Sequence, residues 1–266
     1  MKLPFSKGHG TGNDFILVLD PTDAIQLDAS QVAALCDRSF GIGADGLIRM
    51  VKQDDLWFMD YRNSDGSLAE ICGNGTRVMS RYLIEHNLVG DAEFELSTRA
   101  GLIPVKANSD SSISVELGPV VLTNQEIEVS ASGNRFTGRL VTAPNPHVVS
   151  IVENLAEPGN LLTEPEFDHN QLPSGANFEF VQLIGHREIG MRVHERGVGE
   201  TLSCGSGACA VAVFMQEIWQ TDEPIVVNVP GGQLLLESLS NQKVRLTGPA
   251  IILASGEVDL EKLVTR

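Results

Sequence analysis

Two cysteines stand directly before segments with helical sequence patterns. Cys72-Gly73-Asn74-Gly75 precedes a stretch predicted as helix over 76–85, and Cys204-Gly205-Ser206-Gly207 precedes one predicted over 208–218. At a helix N-terminus, unpaired N–H groups and the positive end of the dipole stabilise a thiolate and lower its pKa. The pattern therefore predicts two activated thiols that could serve as equivalent acid/base groups.

The two cysteine phrases belong to an internal duplication. They lie 132 positions apart, and Asn13 and Asn145, each 59 residues before its cysteine, show the same offset. Further along, the offset becomes 130, and Leu117-Gly118-Pro119 corresponds to Thr247-Gly248-Pro249. A period of this length indicates two halves of one fold rather than the short units of a solenoid.

The duplication also predicts the fold class, which is α/β of the α+β type. Short β-rich runs bounded by Gly or Pro, such as 15–18 and 147–152, are typical of strands. We expect two pseudo-symmetric lobes, each a mostly antiparallel β sheet wrapped around a central helix. The predicted N-terminal lobe is 1–120, with segment 255–266 packing back on it, and the C-terminal lobe is 121–254.

The composition limits which partners the protein can bind and in which cellular compartment we expect it. The 266 residues include 19 Lys and Arg against 35 Asp and Glu, a net charge of −16, which disfavours binding to nucleic acid or to an anionic membrane. No stretch has the length of a membrane span, and residues 1–13 lack the apolar core of a signal peptide. Four cysteines without a secretory signal suggest a reducing compartment. We therefore expect a soluble, cytoplasmic protein.

Other uses of the cysteines are weaker. A zinc site would need C-x-x-C or nearby His and Cys ligands, and neither spacing occurs, so no metal is predicted. A disulfide between Cys72 and Cys204 would fit the symmetry but not a reducing cytosol. Cys36 and Cys209 lie in apolar helical patterns, where free cysteine behaves as a small hydrophobe.

Paired acid/base chemistry is the remaining interpretation. If the lobes close with the two cysteine phrases facing each other, a substrate carbon could lose a proton to one thiolate. It would regain a proton from the other thiol on the opposite face, which inverts its configuration. The glycine-rich phrases could supply backbone N–H donors to a substrate carboxylate at two helix N-termini, and glycine allows close approach and positive φ.

Seven motifs, in their order and spacing, closely resemble those of the diaminopimelate epimerase family. They are Gly12-Asn13-Asp14-Phe15, Phe40-Gly41-Ile42-Gly43-Ala44-Asp45-Gly46, Asn63-Ser64-Asp65-Gly66, Cys72-Gly73-Asn74-Gly75-Thr76-Arg77, Pro144-Asn145-Pro146-His147, Glu195-Arg196-Gly197 and Cys204-Gly205-Ser206-Gly207-Ala208-Cys209. The resemblance spans nearly the whole chain. It implies an epimerase without a cofactor that interconverts LL- and meso-diaminopimelate on the bacterial route to lysine and peptidoglycan. Relatives also suggest a homodimer.

The resemblance implies a role for each matching residue. Cys72 and Cys204 would be the base and the acid, supported by His147 and Glu195. The donors around the reacting α-carboxylate would be Gly73, Asn74, Gly205 and Ser206. The pocket would be lined by Asn13, Asn63, Asn145, Asn177, Glu195 and Arg196. An arginine can hold a distal carboxylate bidentately, a glutamate can pair with an ammonium group, and asparagines bind both without adding charge.

Several of these residues have structural alternatives. Asn13 and Asn145 could satisfy their own backbone in turns, His147 could be a structural histidine, and Arg196 could form a surface ion pair. Gly46 departs from the family pattern, because many members carry Gln there, so a side-chain contact from that position is absent.

Two other functions compete with the epimerase. A racemase of the proline racemase type would tend to have His after the first Cys-Gly, whereas this chain has Asn74. Its substrate has no distal carboxylate, which would leave Glu195 and Arg196 without a role. A non-catalytic protein that only captures a dicarboxylic amino acid would not need both Cys72 and Cys204.

Overall fold

The computed structural model describes residues 2–263 of the chain. These residues divide into two compact units. The first unit comprises the described residues up to Val115 and from Pro249 onward, and the second is Glu116–Gly248. The segment 255–266, for which we predicted packing on the N-terminal lobe, includes residues 264–266, which lie outside the described residues.

Strands dominate both units, and helices are few. Among the described residues the helices are α1 (Ala29–Cys36), α2 (Gly73–Glu85) and α3 (Gly205–Trp219), with a 3-10 turn at Leu260–Lys262. The strands up to residue 117 are β1 (Lys2–Gly10), β2 (Asn13–Leu19), β3 (Gly46–Gln53), β4 (Leu56–Asn63), β5 (Glu93–Thr98), β6 (Gly101–Ala107) and β7 (Ile113–Leu117). The later strands are β8 (Val121–Ala131), β9 (Asn134–Thr142), β10 (Pro146–Val152), β11 (Glu166–Phe167), β12 (Asn177–Gly185), β13 (Glu188–Glu195), β14 (Gly199–Thr201), β15 (Ile225–Val229), β16 (Gly232–Ser238), β17 (Val244–Gly248) and β18 (Ile251–Asp259). No helix in the described part of the chain is long and apolar enough to cross a membrane.

The two units repeat one pattern of strand pairing. In the first, β18–β1, β1–β2, β3–β4, β5–β6 and β6–β7 are antiparallel, while β2–β3 and β4–β5 are parallel. In the second, β8–β9, β9–β10, β12–β13, β15–β16 and β16–β17 are antiparallel, while β10–β12 and β13–β15 are parallel. The predicted fold class, mixed α and β with duplicated and mainly antiparallel sheets, is confirmed. Strand β18 returns to β1 and takes the place that β8 has in the second unit.

One central helix lies in the core of each unit. Helix α2 packs on β1, β2 and β18, and α3 packs on β8, β10 and β16. Val78 and Leu83 of α2 are fully buried, as are Ala208, Ala210 and Val211 of α3. A helix that is buried on most of its faces has sheet around it rather than solvent, and the small residues of α3 let the strands approach its backbone closely.

Both central helices begin earlier than the sequence pattern predicted. They start at Gly73 and Gly205 rather than at positions 76 and 208, which makes each cysteine the residue that caps its helix. Glycine disfavours a helix interior, so the pattern placed these glycines in a preceding turn. Packing is close in this first turn, because a Cβ on Gly75 would lie 2.9 Å from Met59 Cε and 3.0 Å from Ile48 Cδ1.

Candidate active site

Cys72 caps α2 and is half-buried. Its sulfur accepts a hydrogen bond from the Gly75 N–H (3.5 Å), as a serine or aspartate oxygen does at an ordinary N-cap. The thiol also lies 3.7 Å from Asn13 Oδ1, to which it donates. Asn74 donates its amide to the same oxygen at 3.1 Å. The first unit thus brings Asn13, Cys72 and Asn74 into one hydrogen-bonded group.

Asp45 determines which end of the Asn13 amide faces the thiol. Asn13 Nδ2 donates to Asp45 Oδ2 at 2.7 Å, which leaves Oδ1 for Cys72 and Asn74. Asp45 is itself held by Arg38 at 2.7 Å. Asp45 was not among the predicted site residues, although it belongs to the motif from Phe40 to Gly46. Its place in the same motif as Gly46 is the signal that could have identified it.

Two other predicted positions in the first unit have different surroundings. Asn63 is the last residue of β4, and its amide donates to Ser67 Oγ at 3.0 Å within the following turn. Gly46 begins β3, where a Cβ would lie 2.6 Å from the Arg62 carbonyl oxygen and 2.7 Å from Tyr61 Cε2. The Tyr61 ring and the neighbouring backbone therefore exclude any side chain at this position.

Cys204 caps α3 and is buried. Its sulfur accepts from the Gly207 N–H (3.4 Å) and from Asn177 Nδ2 (3.8 Å), and it lies 3.5 Å from the Ser206 hydroxyl. The Arg196 backbone N–H donates to Asn177 Oδ1 at 2.9 Å, so the Asn177 nitrogen must face the sulfur. Four predicted site residues of the second unit therefore lie together. Asn177 and Ser206 contact the Cys204 thiol, and the Arg196 backbone contacts Asn177.

The pKa of Cys204 differs from the expectation for a helix N-terminus. Burial, followed by the carboxylates of Glu195 and Glu179, raises the pKa of this thiol well above its ordinary value. Hydrogen bonds from Ser206 and Gly207 act in the opposite direction but do not overcome burial. The prediction that the helix start lowers the pKa is therefore wrong for Cys204, because removal from water and two nearby negative charges disfavour the thiolate more than the helix end stabilises it.

Glu195 lies beside Cys204 at the end of β13. Its carboxylate accepts from Thr201 Oγ1 and shares a hydrogen bond with the Cys204 thiol. Burial raises the pKa of Glu195, and these two hydrogen bonds only partly offset the effect. A carboxyl group that holds its proton more tightly than usual, next to a thiol, is suited to proton exchange with that thiol.

His147 is fully buried and is placed between two polar partners. Its Nδ1 lies 2.6 Å from Glu179 Oε1, and its Nε2 lies 3.3 Å from Asn145 Oδ1. Glu179 is also fully buried, and it was not among the predicted site residues. The available signal was one charged residue in the otherwise apolar run Phe178 to Val181 of a buried strand, since buried charges are rare unless they are paired.

The remaining predictions concern the Arg196 side chain and the two cysteines expected in the core, Cys36 and Cys209. The Arg196 side chain is exposed and donates to the Ser174 carbonyl oxygen at 2.7 Å. Cys36 and Cys209 are buried, as predicted, and Cys36 packs in an apolar cluster with Val32 and Leu35. Within residues 2–263, no group of three or more His, Cys, Asp or Glu side chains is arranged to hold a metal ion.

Comparison with known sequences identifies the family. The sequence profile of the family described as "Diaminopimelate epimerase" matches residues 5–123 and 139–253. A diaminopimelate epimerase from Streptomyces coelicolor is 41% identical over 277 residues, covering 97% of this chain and 96% of the relative. One from Thermobifida fusca is 42% identical over 274 residues, covering 97% and 99%. These matches confirm the predicted family and, with it, the predicted enzyme class.

Solved structures show the same fold at low sequence identity. A phenazine biosynthesis protein of the PhzF family from Bacillus anthracis has a TM-score of 0.73 at 14% identity, covering 97% of this chain and 99% of that protein. A predicted epimerase from Pseudomonas aeruginosa has a TM-score of 0.69 at 17% identity, covering 96% and 99%. A probable proline racemase from Agrobacterium radiobacter has a TM-score of 0.72 at 12% identity, covering 97% and 93%. The fold therefore does not separate the competing racemase from the epimerase, but the sequence comparison does: the chain belongs to the diaminopimelate epimerase family.

Proposed function

We propose that this protein interconverts LL- and meso-2,6-diaminopimelate without a cofactor, with Cys72 and Cys204 as the acid/base pair. The reaction removes the proton from the α-carbon of one amino-acid centre and returns a proton to the opposite face. Family membership supports the substrate. The observation that supports the two thiols is their equivalent position, since each caps the central helix of its unit and contacts a predicted pocket asparagine.

The pKa of Cys204 indicates which thiol begins the reaction as the acid. Because burial and the nearby carboxylates raise the pKa of Cys204, this residue is protonated at neutral pH and is ready to act as the acid. Cys72, in its thiolate form, then acts as the base for the isomer bound in that orientation, and the roles reverse for the other isomer. Glu195 supports Cys204 through their shared hydrogen bond.

The remaining predicted residues hold the substrate. A helix leaves its first N–H groups without acceptors inside the helix, so Gly73, Asn74, Gly205 and Ser206 can donate to the carboxylate next to the reacting carbon. This contact matters because the carboxylate takes up negative charge as the α-proton leaves.

The other end of the substrate needs separate recognition. Arg196 binds the distal carboxylate with its exposed guanidinium, which donates to the Ser174 carbonyl oxygen in the structure. Glu195 pairs with an ammonium group of the substrate, in addition to supporting Cys204. The amides of Asn13, Asn63, Asn145 and Asn177 complete the pocket.

Several broader expectations are part of the same proposal. The lobes 1–120 and 121–254 each contribute one catalytic cysteine. The protein acts in the cytoplasm as a homodimer on the route to lysine and peptidoglycan precursors. Its partner is the small-molecule substrate, without nucleic acid or membrane, which agrees with a net charge of −16.

Hydrogen exchange in D₂O tests the proposal. We expect the protein, incubated with meso-diaminopimelate and no pyridoxal phosphate, to incorporate deuterium at the α-carbon and to form the LL isomer. Cys72→Ala and Cys204→Ala should each abolish epimerisation, while Cys36→Ala, a control at a buried cysteine outside the site, should retain it. Folded wild-type protein that exchanges no deuterium would refute the proposal, and exchange with proline instead would favour the racemase.

A further inference from the structure

The strongest feature outside the predicted site is the carboxylate of Glu179. It projects from β12, is fully buried, and lies 2.6 Å from Nδ1 of His147 on the parallel neighbouring strand β10. Its second oxygen, Oε2, has no hydrogen-bond partner among the described residues. A buried carboxylate with one unsatisfied oxygen lowers the stability of the folded protein. We therefore looked for a function of Glu179 beside the predicted site histidine.

The surrounding structure makes room for this carboxylate. A Cβ on Gly207, in the first turn of α3, would lie 2.5 Å from Glu179 Oε1 and 3.3 Å from the Cys204 sulfur. Any side chain at Gly207 would therefore collide with the carboxylate. The titratable groups facing Glu179 are His147 on β10, Glu195 on β13 and Cys204 at the start of α3.

We propose that Glu179 is a positioning residue that keeps the proton of His147 on Nδ1, so that Nε2 is the nitrogen that gains and loses a proton. This inference rests on the proposed function, in which His147 supports the catalytic cysteines. A carboxylate at 2.6 Å accepts a hydrogen bond from Nδ1–H and so selects that tautomer, as orienting carboxylates do for catalytic histidines elsewhere.

The partner of Nε2 is suited to a nitrogen that changes protonation. Nε2 lies 3.3 Å from Oδ1 of the Asn145 side-chain amide. An amide has both an oxygen acceptor and an N–H donor, and no second bond of this amide is among the described contacts. It can therefore turn its oxygen to a protonated Nε2 and its nitrogen to a deprotonated one. His147 could then exchange a proton at Nε2 without losing its place.

Nitrogen NMR of the histidine rings tests the tautomer directly. In protein labelled with ¹⁵N-histidine, we expect the signals of the neutral His147 ring to show the proton on Nδ1 and an unprotonated Nε2. His194, whose Nδ1 lies 2.7 Å from the Leu161 carbonyl oxygen, provides an internal reference in the same spectra. A neutral His147 with its proton on Nε2 in the wild-type protein would overturn the proposal, whatever the variants do.

Variants of Glu179 separate positioning from simple packing. Glu179→Met removes the acceptor at similar length, and we expect the Nε2–H tautomer to appear and kcat to fall about 100-fold, at the lower end of what general acid–base catalysis contributes, with KM little changed. Glu179→Gln keeps an acceptor oxygen and should partly preserve both the tautomer and kcat. Glu166→Met, at an exposed position on β11, is the matched control and should match wild type.

The outcomes distinguish this proposal from the proposed function. If wild-type protein shows no turnover of diaminopimelate, the proposed function fails, but the NMR measurement still decides the role of Glu179. An unchanged His147 tautomer and kcat in Glu179→Met would refute the positioning role. If that variant does not fold, the tautomer seen in the wild-type spectra decides alone.

Discussion

Asn177 presents its amide nitrogen to the sulfur of Cys204 at 3.8 Å. In the other unit, Asn13 presents its amide oxygen to Cys72 at 3.7 Å. An amide N–H can stabilise a thiolate, whereas an amide oxygen can only accept from an S–H group. The two units have the same strand pairing, but the amide group that faces the cysteine sulfur is an oxygen in the first unit and an N–H donor in the second.

Removing the Asn177 donor should slow the reaction. A hydrogen bond to a charged group contributes about 1.5–3 kcal/mol, so we expect Asn177→Ala to lower kcat/KM about 10- to 100-fold. Asn170→Ala changes an exposed asparagine in the same unit and should leave kcat/KM unchanged. Steady-state kinetics with both variants provides the measurement, and equal values for the two would show that Asn177 does not act on Cys204.

Glu195→Gln should increase stability at neutral pH while lowering activity. The pKa of Glu195 is raised in the folded protein by burial, so folding favours the protonated form. The contribution of this group is therefore complete below the ordinary carboxyl pKa near 4.5 and is lost as pH rises through the raised value. We expect the melting temperature of the variant to exceed that of wild type at pH 8, with a smaller difference at pH 4.5. A difference independent of pH would contradict this account.

Gly46→Ala should destabilise the protein because no space exists for a methyl group. The added Cβ would lie 2.6 Å from a backbone oxygen of Arg62, which cannot move as the end of a flexible side chain can. Overpacking of this kind costs about 1–3 kcal/mol, and urea unfolding measures it. Gly90→Ala is the matched control, since nothing lies within 4 Å of its Cβ position. Equal stability of the two variants would mean that β3 and β4 can separate to admit the methyl group.

The thiols should react with iodoacetamide in an order set by burial. Burial raises the pKa of Cys36 to about 12, and Cys204 is buried with a raised pKa as well. Because the thiolate is the nucleophile, we expect half-buried Cys72 to be alkylated first at pH 8 and Cys36 only after unfolding. Peptide mapping over time follows each residue, and alkylation of Cys36 in the native protein at the rate of Cys72 would be the contrary result.

Much of the fold could be predicted because its signals are local or periodic. The helix positions, the short strands and the repeated cysteine phrases are visible in neighbouring residues and in a constant offset of 132. The helix starts at Gly73 and Gly205 were missed, since glycine argues against a helix until the packing around it is known. The crowded space at Gly46, which excludes a side chain, also depends on residues of another strand.

Residue types and their spacing were enough to identify two cysteines that cap helices, a duplicated fold and a family of epimerases. The electrostatics of the site came only from the tertiary structure. Glu179 meets His147 from a strand 32 positions along the chain, and its charge, with burial and Glu195, reverses the expected direction of the Cys204 pKa. Charge interactions and desolvation depend on distances in space, and those distances are set by strand pairing between segments far apart in the sequence.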